Sequence, residues 1–99
     1  MPGLVFHRLV ARDLQSVLSH YTKEGAPQVA EQFRREFERV VTKIAREPGR
    51  FHTISGTRLR RANFRRFPYH LLFHPKDGTA RVLILRHHRR HPDYGLDRE

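Results

Sequence analysis

Basic side chains are concentrated in the second half of this 99-residue chain. Residues 51–99 carry 11 Lys and Arg against 4 Asp and Glu, whereas residues 1–50 carry 9 against 6. Guanidinium groups bind phosphate and carboxylate through paired hydrogen bonds, so this excess predicts a surface that binds an anionic partner. The residues expected to form that surface are Arg60, Arg61, Arg65, Arg66, Arg86, His88, Arg89 and Arg90.

Three histidines near the C-terminus, His87, His88 and His91, suggest a metal site at first sight. Neighbouring residues of a strand point to opposite faces, and the chain has no cysteine and no suitably spaced carboxylate to complete a ligand set. We therefore expect neither a metal ion nor another cofactor. The hydroxyl of Tyr94 can serve as a general acid, but we expect this residue to cap the end of a sheet.

Length and composition limit the class of protein. A chain of 99 residues suits one domain with a modest core, so we expect a single domain over residues 1–99. Apolar residues make up only 37% of the chain, which suggests that a partner contributes to its stability. The chain has no cysteine, no run of about 18 apolar residues and no signal-peptide pattern, so we expect a cytoplasmic protein that does not enter a membrane.

The periodicity of the first half predicts a strand followed by two helices. Residues 4–9 are rich in strand-forming side chains and too few for a helix. Residues 10–24 and 27–47 each place apolar side chains on one face at helical spacing. Gly25 ends the first helix, and Pro27 suits the first turn of the second. The short link between the helices predicts an antiparallel helical hairpin.

The second half predicts three strands. Residues 57–64, 69–74 and 80–85 have the composition of strands, and the last two are separated by a turn over residues 75–79 with Asp-Gly at its centre. The segment over residues 50–56 is predicted to be a loop.

The last of these strands is apolar on both faces. Regular alternation places Val82 and Ile84 on one face and Leu83 and Leu85 on the other, which is typical of a central strand. The predicted fold class is therefore α+β with the order β-α-α-β-β-β. In this arrangement the helical hairpin packs on a small, mostly antiparallel sheet.

The order of elements and several short motifs together resemble the RelE/ParE toxins of bacterial type II toxin–antitoxin modules. The resemblance covers nearly the whole chain. The positions that carry it are Ala11, Asp13 and Leu14 in the first helix, Ala30, Phe33 and Phe37 in the second, Pro48-Gly49 after it, Arg66-Phe67-Pro68-Tyr69 before the hairpin, and Val82-Leu83 leading to His88-Arg89-Arg90-His91-Pro92.

This resemblance implies a growth-inhibiting toxin that a cognate antitoxin neutralises within a hetero-oligomer. ParE-like members inhibit DNA gyrase without cutting nucleic acid, whereas RelE-like members cut mRNA on the ribosome. The long helical hairpin and the His-Arg-Arg-x-Pro segment favour the ParE-like alternative, for which we assign no catalytic residues.

The RelE-like alternative requires a group that activates the 2′-hydroxyl, a cation for the phosphorane and an acid for the leaving oxygen. The resemblance implies that Arg58, Arg60, Arg89 and Tyr94 would take these roles. His70 stands where RelE-like toxins carry an arginine. A third alternative is an inactive relative that binds only its antitoxin or nucleic acid.

Overall fold

The computed structural model describes residues 3–98, which form two helices and a five-stranded sheet. The elements in chain order are β1 (Leu4–Phe6), α1 (Val10–Lys23), α2 (Pro27–Arg46), β2 (His52–Thr53), β3 (Arg60–Asn63), β4 (Tyr69–Lys76) and β5 (Thr79–His87). The strand order is β1-β5-β4-β3-β2, with β1 parallel to β5 and the other pairs antiparallel. The predicted α+β class and order of elements are confirmed, with β2 as one additional short strand.

Both helices bury one apolar stripe against the sheet, as their periodicity predicts. Phe33 of α2 is fully buried, and its ring centroid lies 4.9–5.1 Å from those of Phe64, Phe67 and Tyr69. Burial of one such ring contributes about 1.5–3 kcal/mol to the stability of the fold. This aromatic group is the centre of the main core. No helix within residues 3–98 is long and apolar enough to cross a membrane.

The loop predicted over residues 50–56 contains a strand, so that prediction is wrong in part. β2 pairs with Arg60 and Arg61 at the start of β3, and its two residues are too few to show a periodicity. The strand predicted over residues 57–64 begins later, because the Thr57 hydroxyl bonds to Ile54 O and accepts the N–H of Leu59 in a turn.

The hairpin of β4 and β5 has a tighter turn than the predicted segment over residues 75–79. Asp77 (φ 51°) and Gly78 (φ 77°) both adopt the left-handed conformation that a two-residue type I′ turn requires. The two residues before this turn therefore belong to β4 and pair with the first residues of β5.

β5 is central, as predicted, but its side chains do not alternate regularly. Leu72 of β4 lies opposite Ile84, whereas the next residue, Phe73, lies opposite Val82. Leu83 is thus the extra residue of a β-bulge, and it packs on the same side as Ile84. This bulge creates a second apolar cluster on the face of the sheet that points away from the helices. Its buried members are Leu59, Leu72, Leu83 and Ile84.

Candidate target-binding surface

Four basic side chains meet on the face of the sheet that points away from the helices. Arg61 comes from β3, His70 from β4, Arg86 from β5, and His88 follows β5 directly. In the strand pairing, Asn63 lies opposite His70, and His70 lies opposite Arg86. Residues two apart on a strand share a face, so this register brings the four side chains together. Arg61, His70, Arg86 and His88 are called the basic cluster below.

Hydrogen bonds join the basic cluster without interruption. Arg86 Nε donates to His70 Nε2 at 3.0 Å. His88 Nδ1 lies 2.9 Å from His70 Nδ1 and 3.1 Å from Arg61 Nη2. A guanidinium group can only donate, so His70 Nε2 and His88 Nδ1 must both be acceptors. His70 therefore carries its proton on Nδ1 and donates it to His88, which carries its own proton on Nε2.

The basic cluster is closed at one end and open at the other. Arg86 is buried, and its Nη1 donates to the carbonyl oxygens of Pro92 (2.7 Å) and Tyr94 (3.1 Å) in the C-terminal tail. Arg61 lies at the solvent-exposed end, where its Nε donates to Asn63 Oδ1 at 2.8 Å. Contacts on two sides therefore fix the orientation of the Arg61 guanidinium before any ligand arrives.

Both histidines of the cluster are neutral although they lie among arginines. His70 is 1% exposed, and its burial, together with the charges of Arg61 and Arg86, lowers its pKa from 6.5 to about 3. Burial and the charge of Arg61 also lower the pKa of His88. Among residues 3–98, no carboxylate lies within 4.0 Å of the Arg61 or Arg86 guanidinium. Within the described residues, no ion pair therefore neutralises the two guanidinium charges on this face of the sheet.

A second polar network fastens the C-terminal tail to the edge of β5. Buried Asp13 of α1 accepts hydrogen bonds from Leu85 N–H (3.1 Å), the Tyr94 hydroxyl (3.0 Å) and both Nη atoms of Arg98 (2.6 and 3.1 Å). Arg98 also donates to Leu83 O at 2.8 Å. The Tyr94 ring packs against the second apolar cluster. Tyr94 thus occupies the capping position at the sheet.

The side chains named for the RelE-like alternative lie apart. Arg60 is on the helix side of the sheet, and its Nη1 donates to Phe51 O at 2.7 Å. The Tyr94 hydroxyl bonds to Asp13 of α1, beyond the edge of β5. β5 lies two strands from β3, the strand that carries Arg60, which is roughly 10 Å at the usual strand spacing. Arg58 is exposed in the turn before β3, and Arg89 is exposed after β5.

The other predicted binding arginines, apart from Arg60, lie at the same end of the sheet as the basic cluster. Arg65 and Arg66 are exposed in the connection between β3 and β4, and Arg89 and Arg90 are exposed after β5. Because β3 and β5 both run antiparallel to β4, they end at the same end of the sheet. The structure therefore gathers the predicted set at this end, apart from Arg60, which begins β3 and contacts a backbone carbonyl.

The remaining histidines after β5 make local contacts. His87 Nδ1 accepts the N–H of Arg89 at 3.0 Å, and His91 Nδ1 accepts the N–H of Asp93 at 3.1 Å. Within residues 3–98, no three His, Cys, Asp or Glu side chains lie close enough together to hold a metal ion. These two imidazoles shape the turns that follow the sheet.

Two buried carboxylates make contacts that were not predicted from the sequence, although Asp13 is among the positions that carry the family resemblance. Asp13 and Glu36 are 6% and 8% exposed. Glu36 Oε2 accepts the N–H of Arg65 at 2.9 Å and also bonds to the Arg39 guanidinium. Burial opposes ionisation of Glu36, but these hydrogen bonds outweigh it and lower its pKa. A sequence signal for such a contact was present, because a carboxylate lies within an apolar helix stripe. Asp13 follows Val10 by three residues and therefore shares its helix face.

Comparison with known proteins identifies a family and supports the fold. A family model described as the ParE toxin of the type II toxin-antitoxin system, parDE, matches residues 4–92. The chain is also similar to a solved structure described as a chromosomal ParDE TA system from P. aeruginosa, with a TM-score of 0.76 and 20% sequence identity over 88% of this chain and 96% of that chain. At this identity the structural likeness shows the fold alone. No curated protein matches the chain significantly.

Proposed function

Because this chain belongs to the ParE toxin family of type II toxin–antitoxin systems, we propose that it inhibits DNA gyrase without cutting nucleic acid. The observation that carries the proposal is the match of the family model to residues 4–92, a range that includes both helices and all five strands. We propose that the chain acts as a single domain over residues 1–99.

The contacts of the basic residues support inhibition by binding rather than by catalysis. Cleavage of RNA requires a base, a cation and an acid beside one phosphate. The Tyr94 hydroxyl is bound to Asp13, Arg60 is bound to Phe51 O, and His70 is buried and neutral. The residues that remain exposed offer guanidinium groups for binding, which is the chemistry that the proposed function needs.

The family also implies an antitoxin partner, and two surfaces suit one. Val5 and Phe6 of the edge strand β1 are 47% and 44% exposed, beside an apolar groove that includes Leu14 and Phe37. An unpaired strand edge beside an apolar groove accepts both backbone hydrogen bonds and apolar side chains. We propose that the antitoxin covers this edge with apolar residues and the arginine-rich end of the sheet with acidic ones, giving an inactive hetero-oligomer.

Controlled expression of the chain in a bacterium tests the proposal. Growth, plasmid supercoiling and mRNA integrity are measured in the same cultures, with and without the antitoxin expected from the neighbouring gene. We expect arrested growth, loss of negative supercoiling and intact mRNA, all relieved by the antitoxin. Cuts in mRNA at the ribosomal A site with normal supercoiling would contradict the proposal, as would normal growth of cells that contain the folded protein.

A further inference from the structure

The exposed end of the basic cluster offers hydrogen-bond donors that no residue of the described chain uses. Arg61 donates through Nε to Asn63 and through Nη2 to His88, and its Nη1 makes no hydrogen bond within residues 3–98. His88 Nδ1 accepts from two sides, so the ring proton is on Nε2, at the opposite side of an exposed imidazole. Among residues 3–98, a guanidinium N–H and an imidazole N–H on neighbouring side chains therefore make no hydrogen bond.

Two buried residues, His70 and Arg86, orient these donors. Buried His70 donates to His88, and Arg86 holds His70 while its own Nη1 is fixed by the tail. Hydrogen bonds in such a chain polarise one another, which strengthens the outermost donor towards an anion. The cluster therefore consists of two outer donors on two buried supports, with two guanidinium charges and, within residues 3–98, no ion pair.

We propose that Arg61 and His88 bind the phosphate backbone of double-stranded DNA, with His70 and Arg86 as positioning residues. This is a direct contact with DNA and goes beyond the proposed inhibition of gyrase. A planar guanidinium group and an imidazole N–H are donors suited to the oxygens of a phosphate.

In the chain without its antitoxin, two observations favour DNA over an acidic peptide at this place. Exposed arginines in the β3–β4 connection and after β5 add positive charge at the same end of the sheet, which suits a backbone with regularly repeated charge. A protein partner needs a buried apolar anchor, and the exposed apolar residues Val5 and Phe6 lie beside the first half of β5, away from Arg86 and His88. Leu96 of the tail, the other large apolar residue exposed within residues 3–98, offers a single side chain that is 39% exposed.

The test measures binding of the purified full chain to a short fluorescein-labelled DNA duplex by fluorescence anisotropy. Arg61→Gln and His88→Ala should each weaken binding about tenfold, as expected for the loss of a charge-assisted hydrogen bond. Arg61→Gln should also reduce the slope of log affinity against log salt by about one. The matched control is Arg35→Gln, which removes the same charge from a side chain of α2 that is 78% exposed, and it should leave the slope unchanged.

Inorganic phosphate provides a second probe. Its addition should shift the NMR signals of the His88 imidazole in the unmodified chain and leave them unchanged in Arg61→Gln. Circular dichroism confirms that each variant is folded, and His88→Gln replaces His88→Ala if the latter unfolds. Equal losses of affinity for Arg61→Gln and Arg35→Gln would overturn the proposal, because binding would then depend only on net charge. Binding of an acidic peptide through Arg61, with no binding of the duplex, would overturn it as well.

Discussion

Removal of the Asp13 carboxylate tests how the C-terminal tail is held on the sheet. The side chains of Asp13 and Arg98 are 4% and 8% exposed and form an ion pair at 2.6 Å. Asp13→Ala leaves this guanidinium buried without its partner, and it removes the acceptor for Leu85 N–H and the Tyr94 hydroxyl. Breaking one side of a buried pair costs about 3–5 kcal/mol, and we expect a loss in that range. Domains of this size have a free energy of unfolding of about 5–15 kcal/mol, so much of the stability would be lost.

Urea unfolding followed by circular dichroism measures this loss. Addition of Arg98→Met to Asp13→Ala should recover part of the stability, because the double variant no longer buries an unpaired charge. Glu31→Ala is the control, since it breaks exposed pairs with Arg34 and Arg35 that each contribute less than about 1 kcal/mol. A loss of less than about 1 kcal/mol for Asp13→Ala, or no recovery in the double variant, would refute this account of the tail.

Three further predictions also concern stability. Gly95→Ala should lower the free energy of unfolding by about 1–3 kcal/mol, because Gly95 has a φ of +80° and a Cβ there would lie 2.7 Å from Ile84. Gly56→Ala is the control and should cost less, because Gly56 has a φ of +78° but a Cβ there would meet nothing within 4 Å. Stability should fall from pH 6.5 towards about pH 3, because the pKa of His70 is about 3 in the folded protein and the ordinary histidine value is 6.5, so the unfolded chain binds more protons in this window. Urea midpoints across this range measure the fall, and His70→Gln should make it smaller. Glu36→Gln should destabilise the protein at neutral pH by about 1–3 kcal/mol. Because the folded-state pKa of Glu36 lies below the ordinary value of 4.5, that difference should persist above pH 4.5 and shrink as the pH falls through the folded-state pKa.

Each of these predictions has an outcome that contradicts it. Equal losses at Gly95 and Gly56 would mean that the contact with Ile84 costs nothing. A stability that is constant between pH 6.5 and pH 4 in the unmodified chain would contradict the neutral, buried state of His70. An effect of Glu36→Gln that is the same at acidic and neutral pH would mean that the charge of this carboxylate does not contribute.

Elements with a long periodicity were predictable from the sequence. The two helices were found within a residue of their ends, since Gly25 and Pro27 mark the link and the apolar stripes extend over several turns. β5 was recognised as a central strand because it is apolar on both faces. The features that were missed depend on tertiary pairing. β2 has two residues, and the bulge at Leu83 arises only when β5 is aligned with β4.

The basic surface was predictable as a set of residue types but not as an arrangement. Alternation along a strand places Arg60 and Arg61 on opposite faces, yet it does not reveal that Arg60 bonds to a carbonyl while Arg61 meets His88. The contact of Asp13 with Arg98 joins residues 85 positions apart, and no local pattern encodes it. Side-chain networks across strands and between termini therefore required the structure.

The central claim is that this ParE-family chain inhibits gyrase by binding and does not cleave RNA. The most direct measurement adds the purified chain to DNA gyrase and relaxed plasmid with ATP, and in parallel to ribosomes programmed with a defined mRNA. The account predicts that supercoiling falls with increasing concentration of the chain, while the mRNA remains intact. Unimpaired supercoiling together with cleavage of the mRNA in the ribosomal A site would contradict it.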